Sequence, residues 1–101
     1  MAADVDAYSV YVLRCRDGSY YTGIATDVDR RIAEHDGGRR GAKYLRGRGP
    51  FELVFSCPIG DRSQAQRVEA WLKKLPSREK SDAERLAARI EAMMAVDVAV
   101  Q

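Results

Sequence analysis

Arg31 and His35 stand four residues apart in the stretch SYYTGIATDVDRRIAEH, Ser19 to His35. On a helix that spacing puts both side chains on one side. A guanidinium grips and neutralises a phosphate bidentately, and an imidazole takes a proton near neutral pH. Set beside tyrosines, the two make a kit for handling a phosphodiester. Taken alone, they are more readily a surface arginine and a half-buried histidine that serve only the fold. Glu69 is a third candidate, placed inside an apolar stripe by Ala65, Val68 and Leu72. A carboxylate buried there without a partner is costly or raised in pKa. It must pair with a cation, face a pocket that holds a metal, or stand at the edge of the stripe. A lone hard carboxylate with water and phosphate oxygens is a common way to hold Mg²⁺ at phosphoryl-transfer sites.

Tyr11 and Tyr21 lie on two strands joined by the turn signal Asp17-Gly18. Whether they meet depends on parity. With a two-residue turn, Cys15 faces Tyr20 and the tyrosines point to opposite faces. With a three-residue loop, Arg16 to Gly18, they share a face. A shared tyrosine site therefore requires the odd loop, in which a type I turn ends on glycine.

The elements that would position these groups can be read along the chain. Tyr8–Cys15 is dense in Tyr and Val and is expected to be a strand buried on both faces. Ser19–Ala25 is its hairpin partner. Thr26 or Asp27 can cap a helix running to about Asp36, with Val28 and Ile32 as its core face and Gly37-Gly38 as its stop. Residues 39–50 are expected to be mostly loop, with a turn of helix around Lys43 and Pro50 closing the segment. Phe51–Cys57 alternates as a third strand, which Pro58-Ile59-Gly60 should break. Asp61 or Ser63 then caps a helix to about Leu75, with Ala65, Val68, Leu72 and Leu75 as its apolar stripe. After the stop at Pro76, Ser77 can cap a last helix over about 78–95, carrying Leu86, Ile90 and Met93, with frayed residues beyond. The order is ββαβαα: an α+β fold, or mixed α/β sandwich, with one small three-stranded sheet. One domain is expected over residues 1–101, with its core at about 8–75.

Composition narrows the function classes. The chain has 101 residues, 46% hydrophobic and 32% charged; its apolar runs are far shorter than the ~20 residues that span a bilayer. The acidic MAADVDAY start lacks a signal-peptide pattern, so a cytoplasmic protein is expected. Cys15 and Cys57 sit in apolar runs, as thiols rather than a disulfide. Two cysteines and one histidine so scattered do not make a zinc site. The formal net charge is only +2, but GGRRGAKYLRGRGP gathers Arg39, Arg40, Lys43, Arg46 and Arg48 without an acid. That is the footprint of a phosphate-backbone contact, or else a solvated loop.

Together these residues resemble the GIY-YIG nuclease domain. Its first signature triplet appears as Ser9-Val10-Tyr11 and its second as Tyr21-Thr22-Gly23. Arg31 stands where the family's catalytic arginine falls, eight residues after the glycine. His35 stands one turn later, where the family has Tyr or His. Glu69, in RSQAQRVEAWLKKL, fits the metal-binding glutamate of a later helix. The match spans about Tyr8 to Leu75, and GAKYLRGRGPFELVF looks like the small stand-alone bacterial branch. The chain departs from the family in Ile24, often Lys in larger members, and in having no Asn at all.

The resemblance implies one-metal phosphodiester hydrolysis by a structure-selective DNA endonuclease, in repair or recombination. Glu69 would hold one Mg²⁺ or Mn²⁺ and Arg31 would steady charge on the phosphoryl group. Tyr11, or else His35, would help deprotonate the attacking water. Lys43, Tyr44, Arg46 and Arg48 would grip the backbone whatever its sequence. The expected partner is nucleic acid, DNA ahead of RNA, with a homodimer or protein partner to help find it, and no membrane. A nuclease-fold module that binds without cutting is the first alternative, and a purely structural protein the second.

Overall fold

Tyr8–Arg14 (β1) is the middle strand of the molecule, and its burial follows from that place. The computed structural model describes residues 7–37, 45 and 47–100, with only the backbone described over 95–100. β1 pairs antiparallel with Tyr20–Ala25 (β2) on one side and with Glu52–Gly60 (β3) on the other, giving the strand order β2-β1-β3. Val10, Tyr11, Val12 and Leu13 are all fully buried, as a strand covered on both faces requires.

The helices divide between those faces. Val28–Gly37 (α1) follows β2; Arg62–Lys73 (α2), a single turn Ser77–Lys80 (α3) and Ala83–Val100 (α4) follow β3. Val10 and Val12 pack with Phe55 and Ile59 against Ala65, Val68 and Leu72 of α2 and Leu86 and Ile90 of α4. On the opposite face Tyr11, Leu13 and Cys15 pack with Leu45, bordered by Tyr21, Val28, Ile32 and Phe51. The expected ββαβαα order of an α+β fold is present, with α3 as an added turn. Among the described residues no helix is long and apolar enough to cross a membrane.

The hairpin takes the odd loop. Ser9 pairs with Ala25, Tyr11 with Gly23 and Leu13 with Tyr21. The Cys15 amide donates to the Ser19 carbonyl at 2.8 Å, leaving Arg16, Asp17 and Gly18 as the loop. Gly18 has φ +88°, the left-handed position that glycine takes without strain. Asp17 Oδ1 accepts from the Ser19 amide (3.0 Å) and hydroxyl (2.6 Å), fastening the turn.

Three expectations fail, each for a local reason. β3 does not break at Pro58 but runs on to Gly60. β3 is an edge strand, where proline's missing N–H costs no ladder bond. The pairing skips a residue between Tyr8–Gly60 and Ser9–Pro58, so the proline sits at a bulge.

The even alternation expected of Phe51–Cys57 fails too. Val12 pairs with Phe55 but Leu13 pairs with Leu53, one residue out of step. A one-residue slip changes which face a side chain takes. Phe55 therefore joins the aliphatic core while Phe51 lies against the tyrosine side.

The last helix, expected to be continuous from Ser77, is split. Asp82 Oδ1 accepts from the Arg85 amide at 3.1 Å and so starts α4 anew, as an N-cap carboxylate does. α3 begins after Pro76 with no side-chain cap, and α4 continues to Val100 rather than fraying near Ala95.

Elsewhere the caps are as expected. Asp27 Oδ1 accepts from Arg30 at the start of α1, and Asp61 forms a reciprocal capping box with Gln64 at the start of α2. Cys15 is buried and Cys57 half-buried, both as free thiols. The turn of helix expected around Lys43 lies outside the described residues.

Candidate active site

Tyr11, Tyr21 and His35 form one aromatic cluster on the α1 side of the sheet. The Tyr11 and Tyr21 rings are 6.3 Å apart at 44°, and the Tyr21 and His35 rings meet edge-on at 5.4 Å and 72°. Tyr11 Oη and His35 Nε2 are hydrogen-bonded at 2.9 Å. His35 is the most buried of the described α1 side chains, at 3% exposure. The apolar Val28 and Ile32, expected to be the core face, are only half-buried. The imidazole is thus the residue by which α1 enters the interior.

Gly23 makes this arrangement possible. It faces Tyr11 across the ladder, and a β-carbon there would lie 2.6 Å from Tyr11 Oη and 2.7 Å from Cζ. Such contacts are well inside van der Waals separation. The tyrosine reaches over β2 only because that position has no side chain.

Burial drives the Tyr11 phenol well above the usual tyrosine range. The neighbouring Tyr21 and Glu69 push it the same way, while Arg31 opposes them. Burial also pulls His35 below its ordinary value, and the Arg31 charge adds to that, with Glu34 partly opposing. The pair therefore rests as a neutral phenol and a neutral imidazole.

Arg31 donates from Nη1 to Glu34 Oε1 at 2.8 Å. This contact holds it in the charged form, and the proximity of Tyr11 contributes in the same direction. Arg30 also reaches Glu34, at 3.5 Å, but lies mostly in solvent.

Of the three placements that the spacing with Ala65, Val68 and Leu72 leaves open for Glu69, burial inside the α2 stripe is not the one found. The Glu69 side chain is 21% exposed and its Oε2 lies 3.5 Å from Lys73 Nζ, one turn on. It stands at the edge of the stripe, close enough to Tyr11 for its charge to be felt there. Among the described residues no group of three or more His, Cys, Asp or Glu side chains could hold a metal. The donor set that remains is one partly exposed carboxylate. It suits a hard divalent cation that keeps water and phosphate ligands, Mg²⁺ or Mn²⁺ rather than zinc.

Of the residues expected to grip a backbone, Arg39, Arg40, Lys43, Tyr44 and Arg46 lie outside the described residues. Arg48 is described, and its guanidinium is bonded to the Asp17 carboxylate. With the Arg16 amide donating to the Arg48 carbonyl at 2.9 Å, this ties residues 47–49 to the hairpin loop.

Sequence reasoning passed over Glu34, Lys73 and Phe51. The first two were legible as i,i+3 and i,i+4 partners of Arg31 and Glu69. Phe51 meets His35 edge-on at 6.5 Å and 74°. The β3 bulge puts it there, and no local pattern announces that.

The family model described as the GIY-YIG catalytic domain matches residues 7–82. The chain is 54% identical over 71 residues to the UPF0213 protein BH0048 of Halalkalibacterium halodurans, covering 70% of this chain and 74% of that one. It is 52% identical over 71 residues to the UPF0213 protein YhbQ of Escherichia coli, covering 70% of each. Among solved structures it is similar to the protein EF2693 from E. faecalis. There the TM-score is 0.53 at 39% identity, over 74% of this chain and 79% of that one.

Proposed function

The chain belongs to the GIY-YIG catalytic domain family, and on that premise we propose that it is a metal-dependent endonuclease hydrolysing phosphodiester bonds of nucleic acid, DNA ahead of RNA. The observation that carries the reading is the 2.9 Å hydrogen bond between Tyr11 and His35 beside the charges of Arg31 and Glu69.

A neutral phenol is a poor base by itself, and burial makes its proton harder to lose. His35, kept neutral, offers Nε2 as a place for that proton. As the Tyr11 oxygen takes a proton from water, its own passes to the imidazole, so no bare phenolate need accumulate. The Arg31 charge favours negative charge on the Tyr11 oxygen and can neutralise a phosphoryl oxygen. Glu34 keeps the guanidinium charged and oriented. Glu69 would hold the divalent cation, whose chemistry is to polarise a phosphoryl oxygen and offset charge on the departing one. Tyr21 packs edge-on to the imidazole and helps exclude water from the pair.

The test is cleavage of branched, single-stranded and duplex DNA, and of RNA, with Mn²⁺ or Mg²⁺ present or chelated, beside Glu69→Gln. Metal-dependent cleavage is expected, reduced about 10²–10³-fold in the variant, the cost of losing one electrostatic stabiliser of the transition state. Equal cleavage by both proteins would overturn the role of Glu69.

One observation favours a second reading, a module that binds nucleic acid without cutting: Lys73 already pairs with Glu69. Salt-sensitive binding with no cleavage under any metal would decide for it.

A further inference from the structure

Phe51 is less enclosed than a core aromatic, which is surrounded on every side. It is half-buried at the border of the tyrosine-side core, with a cavity on either side. One, of about 270 Å³, is bounded by Phe51, His35, Asp36, Leu45, Gly47 and Gly49. The other, of about 320 Å³, is bounded by Phe51, Arg14, Cys15 and Pro50. Arg16 borders both. The glycine wall of the first cavity is tethered. Arg16 Nη2 donates to the Gly47 carbonyl at 3.3 Å, and Arg48 is bonded to Asp17.

We propose that the cavity between Phe51 and Gly47–Gly49 accepts a single unpaired nucleobase of the strand being cut, stacked on Phe51, with Asp36 accepting from its N–H edge. The proposal rests on the nuclease reading and adds a substrate class to it: strands with an unpaired nucleotide beside the cut, such as loops, flaps and single strands.

Three features support it. The cavity falls just below the ~300–1,000 Å³ of sites that take drug-sized ligands, so it suits one planar ring system and excludes a base pair. It shares His35 with the catalytic cluster, and Arg31, the proposed phosphate-binding residue, stands one helical turn away. A base seated there would belong to a nucleotide next to the phosphate under attack. The third feature is the Asp36 carboxylate, which would repel a phosphate but complements a base edge. Guanine presents N1–H and N2–H₂ side by side, which one carboxylate can accept together. Unpaired bases are characteristically recognised by an aromatic platform and edge hydrogen bonds. The glycine wall lets the backbone come close to such a ligand. A β-carbon at Gly49 would already sit 3.6 Å from the Phe51 ring, so a longer side chain there enters the space.

The test uses the full chain with divalent metal chelated, so that nothing is cut. Fluorescence anisotropy measures its affinity for short chains of abasic deoxyribose phosphate, either bare or carrying one central guanine or thymine. A single base in an abasic chain cannot be replaced by its neighbours. The guanine chain is expected to bind about tenfold more tightly than the bare one, as one stacked base does, and more tightly than the thymine chain. Phe51→Leu keeps the apolar bulk, and Gly49→Leu fills the cavity. Both should abolish the gain while still binding the bare chain, with retained folding checked by thermal melting. Asp36→Asn should remove the preference for guanine over thymine and keep the gain over the bare chain.

Equal binding of guanine and bare chains by the parent protein would overturn the pocket, as would an undiminished gain in both Phe51→Leu and Gly49→Leu. An unchanged guanine preference in Asp36→Asn would overturn the carboxylate's part. If cleavage occurs as proposed above but the gain is absent, only the pocket falls. If no chain binds at low salt and nothing is cut, the nuclease reading falls and takes the pocket with it.

Discussion

Alternate residues of β1 enter two different surroundings. Val10 and Val12 face aliphatic side chains of β3, α2 and α4. Tyr11 and Leu13, on the other face, lie in a cluster bordered by Tyr21, Ile32 and Phe51, and Tyr11 reaches His35 on α1. The first face is a packed interior whose worth is the area it removes from water. The second is also buried at its centre, but it spends that burial on a phenol and an imidazole, groups that gain little from leaving water. One strand, by its period of two, thus separates the surface that holds the molecule together from the one that carries the proposed chemistry.

Tyr11→Phe tests that separation most severely. It keeps the ring over Gly23 and removes only the oxygen bonded to His35. Cleavage is expected to fall about 10²–10⁴-fold, the range of a lost acid–base group. Stability should fall by only about 1–3 kcal/mol, because the buried His35 nitrogen loses this partner. Single-turnover rates and thermal melts on the same preparations measure both. A variant that melts far lower, or cuts normally, would show that the tyrosine belongs to the packing after all.

Leu72→Ala is the converse on the aliphatic face. Leu72 is fully buried there, so its truncation should cost about 2–5 kcal/mol. Measured by denaturant titration, that loss is expected to leave the cleavage rate unchanged at temperatures where the variant stays folded. A rate loss rivalling that of Tyr11→Phe would mean the two faces are mechanically coupled.

The sequence discloses these two faces unequally. Parity across the hairpin is arithmetic, so the shared face of Tyr11 and Tyr21 follows once Arg16-Asp17-Gly18 is taken as the loop. The i,i+4 spacing of Arg31 and His35 places them on one side of α1 in the same way. The β3 bulge is different, because no residue type in FELVFSC marks the skipped position. It turns on how β3 meets β1, and Phe51 reaches His35 as a result. Pro58 likewise looked like a stop because its tolerance depends on β3 being an edge strand, which is a property of the assembled sheet. Asp82 restarts the last helix with a cap that was legible but outweighed by the long Ala-, Glu- and Arg-rich run around it. For Glu69 the sequence locates the stripe but leaves open whether the carboxylate lies within it or at its edge, since a helix's orientation to its sheet decides which flank is exposed.

A pH titration should sharpen the comparison with a smaller effect. Folding holds the His35 imidazole neutral by burying it beside Arg31, so its value in the folded protein lies below the ordinary 6.5. An unfolded chain takes up that proton near 6.5 and the folded chain refuses it. The resulting stability is fully present above that pH and declines as the pH falls through it. Cleavage by the folded protein should fall only at lower pH, where His35 itself takes up the proton, because a protonated imidazole cannot accept from Tyr11. His35→Gln is expected to flatten the stability slope between about pH 5 and 7, where ordinary histidines titrate. If the slope persists undiminished, another group causes it.

The smallest expected effect lies on the aliphatic face and runs in the opposite direction. Thr22, the middle residue of the YTG triplet, pairs with Val12 across the ladder and is 3% exposed. Its hydroxyl is buried with no hydrogen-bond partner among the described residues. This is the position where the family signature has Ile, so the chain sets a polar atom into a surface that otherwise packs carbon. An unpaired buried hydroxyl costs about 1–3 kcal/mol in protein mutational data, and valine fills nearly the same shape with a β-branched side chain suited to a strand. Thr22→Val is therefore expected to stabilise the chain by about 1 kcal/mol, raising the melting temperature by about 4–8 °C for a domain of this size. Cleavage should not change, because Tyr21 and Gly23 on either side point to the other face. A lower melting temperature would mean the hydroxyl is satisfied in solution; an altered rate would mean that β2 transmits packing on one face to chemistry on the other.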